Sequence, residues 1–170
     1  HSLAEITGAT LHRTRLFEET ARRAEEFESL YEISKTLSAQ TELPTLLEFI
    51  VDTAKNLLHA SSSGMYLFDA ASNELELIVN SAPYMTVGTR LKTGEGMAGR
   101  VALTRHSLRI EDYSRWEGRS PQHEGIPLRA VVEVPMLYGG ELIGVLAVDE
   151  VGDSTRTFTE NDERLLALFA

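Results

Sequence analysis

Two long apolar segments separated by a pair of glycines constrain the fold of this chain more than any other feature of the sequence. Residues 129–138 read RAVVEVPMLY and residues 141–151 read ELIGVLAVDEV, and both are rich in β-branched residues. Gly139 and Gly140 lie between them. Two glycines at this spacing favour a two-residue hairpin turn, because both central positions need a positive φ. The pattern predicts a long antiparallel hairpin, which needs helices and further strands to cover it.

Shorter segments around this hairpin predict the rest of a mixed α+β domain. Period-two segments predict strands in SGMYLFDA, ELELIVNS and LRIED, whereas the glycine-rich GEGMAGRVALTRH starts as a turn and continues as a short helix. Apolar residues at helical spacing predict helices in LLEFIVDTAKNLL and FTENDERLLALFA. Thr159 is the expected N-cap of the last helix, with Asp162 three residues later. The predicted order is α-α-β-β-α-β-loop-β-β-α, and hairpins make the sheet mainly antiparallel.

The composition indicates one globular domain and excludes several classes of function. The 170 residues are 42% hydrophobic and carry a formal net charge of −10, so a nucleic-acid-binding surface is not expected. No apolar run approaches the ~20 residues that a membrane span needs. The sequence contains no cysteine, which excludes disulfides, zinc–thiolate sites and thiol nucleophiles. These features are compatible with a cytoplasmic protein, which is the location that we expect.

The N-terminal part of the chain predicts a separate helix with two alternative roles. Residues 11–39 have a heptad-like seam formed by Phe17, Ala24, Phe27 and Tyr31. The seam fits either a surface helix on its own domain or a parallel dimer helix that carries a signal. Pro44 marks a new helix, so we divide the chain into a signalling and dimerisation helix at 1–42 and a domain at 43–170. Because the chain opens with His1 and stops inside a helical pattern, we expect a piece of a longer protein with a truncated last helix.

Six segments, in this order and spacing, resemble a GAF domain over about residues 43–170. They are SGMYLFDA, ELELIV, GEGMAGRVALTRH, IEDYS, RAVVEVPMLYGGELIGVLAV and FTENDERLL. The resemblance implies a central antiparallel sheet of five or six strands. Helices from both chain ends would lie on one face and often dimerise there. Loops and short helices on the other face would close over a small-molecule pocket.

Several ligands and activities of such domains do not fit these residues. Covalent bilins and the free methionine sulfoxide reductases of this fold need cysteine, which is absent. Cyclic-nucleotide domains carry Asn-Lys at the end of the hairpin, where this chain has Asp149 and Glu150. Haem needs an axial histidine in an apolar pocket, but His123 has polar neighbours, and His59 and His106 are expected at helix ends. Cyclic-nucleotide and haem binding therefore remain only as alternatives, and we expect no metal and no resident cofactor.

The function that we predict is a non-catalytic sensory domain of a signalling protein such as a histidine kinase, diguanylate cyclase or phosphodiesterase. It would act as a homodimer through its N- and C-terminal helices, together with an output domain. The alternative is a pure dimerisation module that binds no ligand. No Gly-x-Ser-x-Gly nucleophile motif supports catalysis. The candidate ligand-binding residues are Tyr66, Met97, Ala98, Tyr113, Trp116, His123, Ile126, Val132 and Ala147.

Glu133 is the one carboxylate in the middle of the segment RAVVEVPM. A hairpin closed by the two glycines pairs Tyr138 with Glu141 and places Glu133 opposite Leu146. This register predicts that Glu133 faces the terminal helices, where Lys35, Lys55 or Arg164 would pair with it. The same register predicts that Val132, Val134 and Ala147 lie beneath the ligand. A slip of one residue would reverse these faces.

Overall fold

A computed structural model describes residues 42–170, and the compact unit discussed below is Leu46–Ala170. The predicted seam at residues 11–39 and the predicted helix break before Pro44 involve residues outside the described part of the chain. Residues 42–57 form helix α1. The other elements are β1 (Ser62–Asp69), β2 (Glu74–Asn80), β3 (Arg90–Lys92), α2 (Gly96–Thr104), β4 (Leu108–Ile110), β5 (Leu128–Tyr138), β6 (Glu141–Val151) and α3 (Glu160–Phe169).

The strands form one six-stranded antiparallel sheet in the order β3-β2-β1-β6-β5-β4. This confirms the predicted α+β class and sheet. The turn between β5 and β6 has Gly139 at φ 59° and Gly140 at φ 84°, the left-handed backbone that the sequence predicts for this pair. The short strand β3 was not predicted, because three residues are too few for a period-two pattern.

The terminal helices pack on one face of the sheet, as the resemblance implies. Thr159 caps α3 with a reciprocal pair of hydrogen bonds to Asp162, as predicted. Phe158, just before α3, is almost fully buried. The core under the helices contains Val51, Ala54, Leu58, Met65, Ala130, Val132, Val134, Met136, Leu146, Val148, Phe158 and Leu166.

The opposite face of the sheet is covered by α2 and by residues 111–127, which we call the covering loop. Two short 3₁₀ turns, Tyr113–Arg115 and Pro121–His123, give this loop local structure. The buried residues beneath α2 are Tyr66, Leu75, Leu77, Leu91, Ala98, Val101, Ala102, Leu142, Val145 and Ala147. A neighbouring cluster beneath the covering loop contains Met97, Tyr113, Leu128 and Val131.

A β-bulge in β6 overturns the predicted face of Glu133. Tyr138 pairs with Glu141 and Leu137 with Leu142, but Met136 pairs with Gly144, so Ile143 is an extra residue. From this point the register is shifted by one, and Glu133 lies opposite Ala147 rather than Leu146. The prediction that Glu133 faces the terminal helices is therefore wrong.

Gly144 next to the bulge has no room for a side chain. A Cβ at this position would collide with the carbonyl oxygen of Tyr66 and the methyl group of Met136. The closest neighbour is therefore the backbone of the adjacent strand rather than a helix. The close packing of β1 against β6 therefore depends on glycine at this position.

Candidate functional site

Two buried carboxylates from adjacent strands lie on the sheet face beneath α2 and the covering loop. Glu133 of β5 is 5% exposed and Asp149 of β6 is 2% exposed. Val131 and Glu133 point to the same face of β5 because they are two residues apart. Asp149 is paired with Val131, so Asp149 shares this face with Glu133. Within residues 42–170, no hydrogen bond reaches Glu133 Oε2 or Asp149 Oδ1. Buried polar atoms almost always have partners, so these two atoms need an explanation.

Burial shifts the protonation of both carboxylates. It raises the pKa of Glu133 to about 8, and the negative charge of Asp149 adds to this effect. Burial also raises the pKa of Asp149 to about 7, with a further contribution from Glu150 and an opposing one from Ser62. At neutral pH the pair therefore holds a proton instead of carrying two full negative charges.

Two hydroxyl groups of β1 extend this polar patch. Ser62 is opposite Asp149 and Tyr66 is opposite Val145, so both residues share the face of the carboxylates. Ser62 Oγ is near enough to lower the pKa of Asp149 but completes no hydrogen bond of ordinary geometry. The Tyr66 hydroxyl has only the Met85 sulfur, at 3.8 Å, which is a weak acceptor. Burial, followed by Glu133 and Asp149, raises the pKa of Tyr66 and keeps it neutral.

The covering loop places an aromatic and imidazole group over this face. The Tyr113 hydroxyl and His123 Nδ1 are 3.0 Å apart, and the rings of Tyr113 and Trp116 are tilted with centroids 5.7 Å apart. His123 Nε2 is buried without a partner, and burial lowers the pKa of His123, although Glu95 opposes the change. Burial raises the pKa of Tyr113 to about 12, with Glu133 contributing. Both groups are therefore neutral at pH 7.

A few polar side chains tie the covering loop to α2 and β3. Glu95, the N-cap residue of α2, accepts hydrogen bonds from Ser120 Oγ at 2.7 Å and Gln122 Nε2 at 3.3 Å. Gln122 Nε2 also donates to the carbonyl of Arg90 at 2.7 Å. The guanidinium of Arg100 lies 5.1 Å from the centroid of the Trp116 ring, a cation–π distance.

A cavity of about 460 Å³ lies against the covering loop. Its wall is partly apolar and partly charged, and it reaches the Tyr113–His123 pair. The lining residues are Tyr113, Ser114, Glu117, Arg119, Ser120, Pro121, His123, Glu124, Gly125, Ile126 and Leu128. Its volume lies in the range of small-molecule sites in proteins.

A sequence model of the GAF domain matches residues 40–170 of the 170-residue chain. The chain belongs to the GAF domain family. Among the described residues, no helix has the length and apolar character to cross a membrane.

Solved structures of several GAF-fold proteins are similar to this GAF domain. One is the GAF domain of a phosphoenolpyruvate-protein phosphotransferase from Coxiella burnetii, with 22% identity, a TM-score of 0.65 and coverage of 82% of this chain and 84% of that chain. Another is a methyl-accepting chemotaxis protein fragment, with 21% identity, a TM-score of 0.62 and coverage of 74% and 82%, respectively. GAF domains thus occur in signalling proteins.

An enzyme also has this fold. The free methionine-R-sulfoxide reductase from Neisseria meningitidis, solved in complex with its substrate, has 22% identity and a TM-score of 0.62, and the match covers 82% of this chain and 80% of that chain. At this identity the likeness shows the fold alone, so the function of the present GAF domain has to be argued from its own residues.

All the sequence-predicted site residues except Val132 lie on the face covered by α2 and the loop. Tyr66, Ala98 and Ala147 are in the core beneath α2, whereas Met97 and Tyr113 are in the cluster to which Trp116 and Ile126 also pack. His123 contacts Tyr113. Val132 lies instead in the core beneath α1 and α3, as does Val134, because the bulge shifts the register. The expectation that these two valines lie beneath a ligand is therefore wrong.

Sequence reasoning missed Glu133 and Ser62 as members of this face. The unbroken-hairpin register did put Asp149 on the ligand side but gave it no role in binding. The available signal was the presence of polar residues in apolar strands. The prediction assumed a hairpin without a bulge, and in that register Glu133 faces the helices. Two of the three predicted partners of Glu133 are engaged elsewhere, since Lys55 pairs with Asp52 and Arg164 with Glu160. The third, Lys35, lies outside the described residues.

Glu150 shows what a satisfied buried carboxylate looks like in the same strand. It is 3% exposed and accepts hydrogen bonds from Ser61 Oγ at 2.5 Å, Ser154 Oγ at 2.8 Å and Arg156 Nη1 at 3.1 Å. Arg156 also donates to the carbonyl of His59, just after α1, at 2.9 Å. Glu150 therefore links β1, β6 and the end of α1, whereas Glu133 and Asp149 have no such set of partners among the described residues.

Proposed function

We propose that this GAF domain is a non-catalytic sensory module that binds a small molecule between the sheet and the covering loop. The observation that carries the proposal is the set of unpartnered buried polar atoms on this face, from Ser62, Glu133, Asp149 and His123. Leaving such groups unpaired costs free energy, and a ligand with complementary groups would recover it. The nearby cavity and the loop held by a few side-chain hydrogen bonds supply space and a route of entry.

The absence of cysteine supports a sensory rather than a catalytic role. The substrate complex of the Neisseria enzyme is consistent with small-molecule binding on this fold. The present chain has no cysteine and cannot carry out chemistry that needs a thiolate. The buried carboxylates of Glu133 and Asp149 can still bind a ligand.

The sheet provides a physical connection from this site to the terminal helices. Strands β5 and β6 present Glu133 and Asp149 to the site and present Val132 and Val148 to the core beneath α1 and α3. Arg109 of β4 donates to the carbonyl of Phe158, next to α3, at 3.0 Å. A ligand that shifts these strands would therefore change the packing of both helices. In a cytoplasmic signalling protein this change would reach a partner copy and an output domain.

Exposed apolar side chains on the terminal helices favour a second candidate function, dimerisation without a ligand. Phe49 of α1 is 67% exposed and Leu168 of α3 is 80% exposed, and Leu46 and Leu165 are also exposed. A second copy of the chain would cover these residues. Light scattering of the full chain at tens of micromolar tests this point, since a monomer at that concentration would contradict it.

The ligand itself is tested by purifying the full chain under native conditions and measuring its mass before and after denaturation. We expect a small molecule to be released from the wild type. The variant Ala147→Leu adds bulk beside Glu133 and should lose that molecule. The matched control Ala130→Leu overpacks the opposite face of the sheet and should retain it.

Absence of any bound compound, together with no melting shift from a metabolite library, would contradict the sensory proposal. A dimer under the same conditions would then support the dimerisation module.

A further inference from the structure

We propose that the ligand carries a primary ammonium group, and that Glu133 and Asp149 bind this group together. The inference rests on the proposed function, because it specifies the chemistry of the same site. It follows from the charges, donors and acceptors that the described residues place around the pair.

No side-chain cation within residues 42–170 forms an ion pair with Glu133 or Asp149. Arg119 of the covering loop acts on Tyr113 but is not among the groups that shift the pKa of Glu133 or Asp149. Three other arginines near the pair have partners of their own. Arg109 contacts Glu163, Arg129 contacts Asp112 and Arg156 contacts Glu150. Tyr66 and Tyr113 also face the pair, and neither carries a positive charge. Glu150 adds to the raised pKa of Asp149, but its side chain is on the opposite face of β6, where it contacts Arg156. No described cation compensates the pair, so a ligand would have to supply the matching positive charge.

The acceptors around the pair suit a compact donor. Glu133 Oε2, Asp149 Oδ1 and Ser62 Oγ have no hydrogen-bond partner, and the Tyr66 hydroxyl has only a sulfur contact. An ammonium group has three donors and concentrates its charge at one atom. It can therefore bridge both carboxylates and still donate to a hydroxyl. The hydroxyls belong to β1, so this evidence is independent of the acidic pair itself.

Other ligand classes fit the same surroundings less well. An anionic ligand would be repelled by the two carboxylates. A neutral molecule would leave the carboxylates without charge compensation. For a metal ion, the described residues offer no group of three or more histidine, cysteine, aspartate or glutamate side chains that could hold it.

The rest of the ligand would extend toward the covering loop. The cavity there has apolar wall residues in Tyr113, Pro121, Ile126 and Leu128. A small apolar or aromatic substituent on the ammonium group matches this wall. Benzylammonium is therefore a suitable probe, and benzyl alcohol is its neutral counterpart of similar size.

The experiment measures binding of both probes to the full chain by calorimetry. We expect benzylammonium to bind at least about tenfold more tightly than benzyl alcohol, because only the cation compensates the buried charge. Glu133→Gln and Asp149→Asn should each weaken benzylammonium binding by at least about tenfold. The matched control Glu141→Gln removes an exposed carboxylate at the other end of β6, away from the cavity, and should change the affinity less than about twofold.

Proton release gives a second readout that does not depend on any variant. Since the pair holds a proton at neutral pH, ammonium binding should displace it. Calorimetry at pH 7 in buffers with different ionisation enthalpies should show roughly one proton released per bound benzylammonium.

The proposal fails if benzylammonium does not bind, or if benzyl alcohol or benzoate binds as tightly. It also fails if Glu141→Gln weakens binding as much as Glu133→Gln. Should the buried variants not fold, the comparison of the probes on the wild type still decides the question. A neutral or anionic molecule released from the native protein would overturn this inference and leave the sensory role standing, whereas release of no molecule and no melting shift would overturn both.

Discussion

At the scale of single residues, two buried glutamates in neighbouring strands have opposite roles. Glu150 is held by Arg156, Ser61 and Ser154, so its charge is compensated. Glu133 is equally buried, and its Oε2 has no partner among the described residues. The same substitution to glutamine should therefore destabilise the protein at one position and stabilise it at the other.

Glu133→Gln should stabilise the protein in alkaline solution. The folded-state pKa of Glu133 is about 8, well above the ~4.3 of a free glutamate. The folded state therefore binds the proton more tightly, and the free energy of unfolding falls as pH rises between roughly 4.5 and 8. We expect urea unfolding to show a gain of at least about 2 kcal/mol for the variant at pH 8.5 and no more than about 1 kcal/mol at pH 5. A variant less stable than wild type at pH 8.5 would contradict this account.

Arg156→Met should destabilise the protein at neutral pH. It removes the cation that contacts Glu150, leaves a buried carboxylate without its charge partner and frees the His59 carbonyl. We expect a loss of roughly 2–4 kcal/mol in urea unfolding. Arg164→Met is the control, because its ion pair with Glu160 is exposed and should contribute less than about 0.5 kcal/mol. Equal effects of the two substitutions would show that the Glu150 network is not important for stability.

At the scale of secondary-structure elements, the covering loop is the part of the site that could move with least disruption of the sheet. Its contacts to α2 and β3 include the hydrogen bonds of Glu95 and Gln122. The Ser120 hydroxyl is the largest cause of the lowered pKa of Glu95, so this carboxylate stays ionised near neutrality. Opening the loop would expose Tyr113 and His123 without breaking a strand pair.

Glu95→Ala should loosen the covering loop more than it changes global stability. The variant removes the acceptor for Ser120 and Gln122, and such local tethers govern local opening. We expect amide hydrogen exchange of residues 113–125 to accelerate by at least about fivefold while strands β1 and β6 keep their protection. Uniform acceleration across the sheet would mean that Glu95 supports the whole domain.

Element by element, the sequence predicted local chemistry better than strand register. Gly139 and Gly140, and the Thr159–Asp162 cap, were predictable because each motif has one physical solution within a few residues. The bulge at Ile143 was not predictable, because it is defined by the pairing of two strands and Ile143 by itself resembles any other strand residue. The Tyr113–His123 contact could not be predicted either, because it depends on how the covering loop folds back on itself. Because the bulge at Ile143 shifts the strand register, the predicted face of Glu133 was wrong as well.

At the scale of the whole molecule, charge and fold restrict what this GAF domain can bind. The chain has a net charge of −10, and two of the buried unpaired groups of its candidate site are carboxylates. A phosphate group would meet repulsion both at long range and within the site.

Cyclic GMP and cyclic AMP should therefore not stabilise this protein. A ligand present at 100 times its dissociation constant would add about 2.7 kcal/mol and raise the melting temperature clearly. We expect no reproducible shift with either nucleotide, because Asp149 faces the site and Glu150 is engaged with Arg156. A shift that disappears in Ala147→Leu but persists in Ala130→Leu would contradict the assignment of the site to amines.

The extra residue at Ile143 also determines how this domain should be aligned with its relatives. The bulge shifts the pairing of β6 with β5 by one residue. Counting from the Gly139–Gly140 turn therefore assigns the positions from Gly144 to Asp149 to the wrong side of the sheet. In a relative without the insertion, the residue counted from the turn as equivalent to Ala147 would face the terminal helices. When pocket composition is compared with such a relative, a one-residue gap belongs at Ile143, and β6 is best numbered from Gly144.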